Sequence, residues 1–141
     1  MSSNPAESKA VIVVDEQIPA GLAANTAAVL SLTLGRRLGE LIGPDLKDGS
    51  GQVHAGITTV PIPILVADQD TLRQIRDRAA QGDTGLFLVD FTDCAQRTTT
   101  YEDYSRLLES TLASDLNYLG LALHGPRKQV QRLTGSLRLL R

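Results

Sequence analysis

The chain has 141 residues, a net charge of −2, 42% hydrophobic and 21% charged residues, and one cysteine, Cys94. That length supports a single domain with a real core and no need of metal or disulfide staples. The near-neutral balance excludes a strong global field for nucleic acid or anionic membrane. An unpaired cysteine fits a reducing compartment, and no apolar run approaches the roughly 20 residues of a membrane helix, so a cytoplasmic location is expected.

Residues 1–8 are expected to form a flexible tail, with too little apolar content for a signal peptide, and residues 9–141 a single domain. Lys9–Val14 carries the unbroken run AVIVV and reads as a strand covered on both faces. A helix follows from Pro19 or Ala20 to about Leu41. Its buried side is marked by Leu22, Val29 and Leu32, and its polar stripe by Thr26, Thr33, Arg36, Arg37 and Glu40. Gly43–Thr59 is dense in Gly and Asp and reads as a loop or hairpin-like excursion, functional or an interaction surface.

A second strand lies within Pro63–Ala67, its prolines setting the start at a sheet edge or outside the ladder. Asp68 caps a helix over Gln69–Gln81, with Leu72, Ile75 and Ala79 on one face and Gly82 as the stop. GLFLVDF is the third strand, continuously apolar and so expected to be central. Thr100 and Asp103 open another helix, NYLGLALH is the fourth strand, and Pro126 begins a last short helix. The alternation predicts an α/β three-layer sandwich with a four-stranded mixed or mostly parallel sheet.

Several residues are candidates for chemistry, each with a plainer alternative. Asp15 and Glu16 open the loop into helix one, where unpaired helix N–H groups favour an anion, yet the loop has no lysine or arginine. Asn25 is placed on the apolar side of that helix, where its amide either braces a neighbouring loop or touches a ligand. Asp90 and Asp93, at the C-terminal end of the third strand, could form an acid–base pair or merely cap a turn. Arg97 with Thr98, Thr99 and Thr100 could bind a carboxylate or phosphate, or form a polar loop that caps the next helix. His124, before Gly125 and Pro126, could shuttle protons and would share an edge with Asp15 and Asp90 if all strands were parallel. Otherwise it is simply a strand-end residue.

His54 has no spacing partner, and two histidines and one cysteine far apart give no zinc signature, so neither metal nor cofactor is expected. No phosphate-loop, dinucleotide or serine-elbow motif is present. Cys94 follows an acid, which argues against a nucleophilic role. Arg127, Lys128, Arg132, Arg138 and Arg141 make the end of the chain basic, but without interleaved aromatics this reads as a solvated face, and nucleic acid is not expected as a partner.

The segments AVIVVDEQIPAG, PILVADQDTLRQIRDRAAQGDTGLFLVD and LGLALHGPRKQVQRLTGSLRLLR resemble, in order, the type 2 peptidyl-tRNA hydrolases. VVDEQIPAGLAANTAA, VDFTDCAQRTTTYEDY and the C-terminal segment are closer still to the family called domain of unknown function 2000. The resemblance covers roughly residues 9–141 and implies the hydrolase fold. In those hydrolases the first loop carries lysines, suited to an RNA ester, whereas this chain has Ala20, Leu22 and Ala23 there. The expectation is a ligand-binding or regulatory domain for a small molecule, without the lysine chemistry. The alternatives are a hydrolase or transferase using Asp90, Asp93, Arg97 and His124, and a homodimeric scaffold joined through Gly43–Thr59.

Overall fold

A computed structural model describes residues 7–81 and 85–141. Residues 1–6 of the expected tail and the expected helix stop at Gly82 lie outside the described residues. Strand β1 (Ser8–Asp15) leads into helix α1 (Ala20–Arg37) and a 3₁₀ turn at Gly39–Leu41. A small hairpin follows, β2 (Leu46–Lys47) and β3 (Val53–His54), then β4 (Ile64–Ala67) and α2 (Gln69–Ala80). The remaining elements are β5 (Phe87–Thr92), the short α3 (Asp93–Gln96), α4 (Tyr101–Glu109), β6 (Tyr118–Pro126) and α5 (Arg127–Thr134).

The main sheet is mixed, in the order β4-β1-β6-β5. β1 pairs β4 in parallel, while β6 runs antiparallel to both β1 and β5. The apolar run of β5 therefore lies at an edge, not at the centre as its composition suggests. Helices α1 and α2 pack on its two faces, which accounts for the apolar composition without a second strand neighbour, and its residues are half-buried except Thr92. At the opposite edge, the last residues bridge β4 through Val66 N–H to Arg138 O at 2.9 Å and Leu140 N–H to Ile64 O at 2.8 Å.

Strand alternation divides the core into two layers. Val11, Val13, Leu65, Ala67, Leu121 and Leu123 face α2 and α5, where Leu72, Ile75, Ala79 and Val130 meet them. Ile12, Val14, Val66 and Ala122 face α1 and pack on Ala23, Ala27, Leu30 and Leu34.

Helix α1 is rotated relative to the expected face. Thr26 is 0% exposed and in the core, whereas Leu32 is 78% and Val29 38% exposed. The reason lies in the sheet below. Gly120 on β6 sits under the helix, and a Cβ there would meet Thr26 Cγ2 at 2.7 Å and Val13 O at 2.9 Å. A close approach of this kind selects short side chains, so Ala23, Thr26 and Ala27 turn inward and longer ones are displaced outward.

Gly43–Thr59 is a built hairpin. The Asp48 carboxylate accepts from Ser50 N–H and Gln52 N–H and lies 2.8 Å from His54 Nε2, and Gly51 takes a φ of +85° in the turn. His54 thus has a partner that spacing did not reveal. Replacing Gly120 with alanine should destabilise the fold by about 1–3 kcal/mol through overpacking, read as a lower urea midpoint. An unchanged midpoint would mean that helix and sheet have slack at this contact.

Candidate functional site

Polar side chains gather at the edge of the sheet formed by the C-terminal ends of β1 and β5. Asp15 is 7% exposed, and both its oxygens are engaged. One accepts from Gln17 N–H at 2.9 Å, the other from Gln69 Nε2 at 2.9 Å. The Gln69 amide also donates to Tyr118 O and accepts from Tyr118 N–H at 2.9 Å, joining β1, α2 and β6. Gln69 stands here because Asp68 caps α2 through Thr71 N–H at 2.8 Å. Its role across 49 residues from Tyr118 leaves no local signal in the sequence.

Asp93 fastens the same edge: its N–H donates to Asn117 O at 3.0 Å, and its carboxylate accepts from Asn117 N–H at 3.3 Å. Arg73 pins the segment before β6 by donating to Ala113 O at 2.8 Å and Leu116 O at 2.6 Å, with its guanidinium 5.4 Å from the Tyr118 ring centroid. Cys94 is buried, 3.6 Å from Thr111 Oγ1. Arg138 reaches Glu16 at 3.3 Å.

Asp90 pairs in register with Leu121, so its side chain faces α2. Its Oδ2 lies 3.8 Å from Arg76 Nε. Burial raises its carboxyl above the usual carboxylate range, and the Arg76 guanidinium opposes that rise. Burial likewise pushes the Tyr104 phenol up, helped by the nearby Asp90.

The expected acid–base constellation does not assemble. β6 runs antiparallel, so His124 stands level with Ala10 and Phe87, at the opposite end of the sheet from Asp15 and Asp93. Asp90 and His124 are three residues apart in register and on opposite faces, about 10 Å along the strands before sheet thickness is added. Arg97 is exposed and forms no ion pair among the described residues. Asn25 is also exposed, a consequence of the rotation of α1.

A cleft of about 440 Å³ opens instead on the α1 side of β5. Val29, Leu30, Val89, Phe91 and Ala95 supply apolar walls, with Thr33, Thr98, Thr99 and Thr100 adding hydroxyls and Tyr101 and Tyr104 their rings. Thr99 is the one residue of the expected ligand set, Asp15, Asn25, Arg97 and Thr99, that lines it. Asp90, expected to be catalytic, also borders the cleft, but its carboxylate lies on the α2 side of the sheet against Arg76. Thr98 Oγ1 donates to Cys94 O at 2.9 Å, and Thr100 Oγ1 accepts from Asp103 N–H at 3.1 Å, capping α4. The sequence signal that marked this loop was the threonine run. Nothing local marks Val29 for this role: its spacing predicts the buried side of the helix, yet it is 38% exposed and walls the cleft.

Lysines are absent from the lining. Lys9 pairs with Gly125 at the start of β1, Lys128 follows Pro126, and Lys47 is on the hairpin between the end of α1 and the start of β4. All three therefore belong to the end of the sheet opposite Asp15. The hairpin also exposes Leu46 (66%), Val53 (63%) and Ile57 (78%). Among the described residues no helix is long and apolar enough to cross a membrane.

His124 Nε2 is buried without a hydrogen-bond partner among the described residues. Burial lowers its pKa, and Glu40 opposes the shift. The unfolded chain therefore takes up this proton first as pH falls, and stability rises with pH from the lowered value towards 6.5. His124→Gln should flatten the fall in unfolding free energy between about pH 7 and pH 5, measured by urea titration at each pH. A wild-type slope retained in that variant would place the titration elsewhere.

Comparison with known proteins gives a family and a fold. A family profile described as protein of unknown function (DUF2000) matches residues 8–141. No curated protein matches the chain. A solved structure of a protein of unknown function from Agrobacterium tumefaciens strain C58 is similar, with a TM-score of 0.86 and 21% identity over 96% of this chain and 98% of that one.

Proposed function

The chain belongs to the DUF2000 family of proteins of unknown function, and from that premise we propose that it is a ligand-binding or regulatory domain that holds a small, largely apolar molecule. The observation that carries this reading is the cleft between α1 and the segment after β5, whose volume of about 440 Å³ lies within the range of small-molecule sites. Its walls are apolar and its polar side chains are neutral hydroxyls, since the carboxylate of Asp90, which borders it, lies on the α2 side of the sheet. Such a lining binds by excluding water from an apolar body and orients it through one or two hydrogen bonds.

We further read the scaffold as a cytoplasmic relative of the type 2 peptidyl-tRNA hydrolases that has lost their lysine-based chemistry. Ala20, Leu22 and Ala23 stand where the ammonium groups would be. The placement of Lys9, Lys47 and Lys128 at the far end supports this, since no lysine from elsewhere in the chain restores the missing charge.

Two experiments test the reading. Phenol, indole and isobutanol titrated into the ¹⁵N-labelled full chain should shift amides of Val29, Thr33, Val89, Phe91, Ala95 and Thr98–Tyr104. Val29→Arg, at a position already 38% exposed, should weaken that binding at least about tenfold while leaving thermal stability nearly unchanged. Absence of shifts at these amides with every probe would remove the cleft as a ligand site. In the second experiment, release of peptide from peptidyl-tRNA should not exceed the buffer rate, with a lysine-bearing type 2 hydrolase as positive control. Turnover near that of the control would overturn the loss of hydrolase chemistry.

A further inference from the structure

We propose that the cleft beside β5 receives a peptide in extended conformation, which pairs with the free edge of β5 and buries apolar side chains against Val29, Leu30 and Phe91. The inference rests on the reading of this cleft as a ligand site and names the class of ligand it takes.

β5 pairs with β6 alone and ends the main sheet. In an antiparallel pair, alternate residues exchange both N–H and C=O with their neighbour. Every second residue of an edge strand therefore turns both groups away from the sheet. Among the described residues, no main-chain group of residues 87–91 bonds to any element except β6. The strand carries neither lysine nor proline to guard that edge.

The lining brings this strand to the cleft. Val89, Asp90 and Phe91 border it in succession. Because Asp90 directs its carboxylate to Arg76 on the α2 side, what it presents to the cleft is main chain. Unpaired donors and acceptors that recur every second residue, about 7 Å apart, match an extended chain and not a compact ligand. The same sheet satisfies its other edge in this way. There residues 138–140 run antiparallel to β4 through the Leu65–Leu139 bridge, with Val66 N–H donating to Arg138 O and Leu140 N–H to Ile64 O.

Side chains of an added strand alternate between the two faces of the sheet. Those on the α1 side enter the cleft, where Val29, Leu30, Val89 and Phe91 favour apolar groups. Main-chain pairing thus supplies affinity, and the pocket selects the side chains at every second position. Helix α1 and residues 98–104 wall the cleft, so a single chain threads between them. A second copy of the protein would bring the same two walls against them.

The probe is the peptide acetyl-Val-Thr-Val-Thr-Val-amide, titrated into the ¹⁵N-labelled full chain. At saturation, hydrogen exchange at every second amide of residues 87–91 should slow about tenfold, while the amides already paired with β6 change little. Methylating the valine nitrogens in one analogue and the threonine nitrogens in another removes the donors along one edge of the peptide at a time. At least one analogue should bind about tenfold more weakly than the parent. Equal binding by the parent and both analogues, or no slowing in β5, would overturn strand pairing and leave the cleft as a ligand site. Slowing in β5 without peptide as protein concentration rises, with a dimer seen by light scattering, would give the edge to a second copy and overturn the peptide. If the peptide, phenol, indole and isobutanol all fail to shift the cleft amides, both readings fall.

Discussion

The antiparallel pairing of β1 with β6 governs what can meet in this protein. It runs from Ser8 opposite Pro126 to Val14 opposite Gly120, and it forms the middle of the sheet. Val11, Ile12, Val13, Val14, Leu121, Ala122 and Leu123 along it are at most 1% exposed. Each of the larger side chains contributes roughly 1.5–3 kcal/mol by burial, so this register is the most costly one to disturb. Its direction sends His124 away from Asp15 and Asp93, and its last pair puts Gly120 beneath α1.

Most of the acids at the opposite edge serve the fold. Asp15 is held between Gln17 and Gln69, Asp93 holds Asn117, and Gln69 joins α2 to Tyr118. A carboxylate with both oxygens committed to amides is poorly placed to take a proton from a substrate. These side chains satisfy backbone groups where strands end and loops begin, a need that arises at any such edge. The cleft accordingly draws on rings and hydroxyls from the segment after β5.

The rotation of α1 links core and cleft. Because Gly120 lets the helix sit close to the sheet, Ala23, Thr26 and Ala27 suit the interior, with Leu30 and Leu34 filling the space further along. Val29 is thereby turned towards β5 and the Thr98–Tyr104 segment, where it becomes a wall of the cleft. Packing on one side of a helix has fixed which apolar residue is presented on another. Thr26, the polar member of the buried stripe, keeps its hydroxyl without a partner among the described residues, which marks how strongly shape prevails at that contact.

The sequence by itself determined the elements and much of their order. Unbroken apolar runs marked β1, β5 and β6, Asp68 marked the start of α2, and Thr100 marked the start of α4, because these signals depend on neighbours in the chain. It also marked the threonine loop and the absence of lysines after β1. Only the tertiary structure decided that β6 runs antiparallel, that β5 lies at an edge and that Thr26 faces inward. Strand direction depends on pairing between residues far apart, and the face of a helix depends on the surface beneath it. An alanine-rich helix such as α1 has too weak a periodicity to choose that face alone, and Gly120, about ninety residues further along the chain, made the choice.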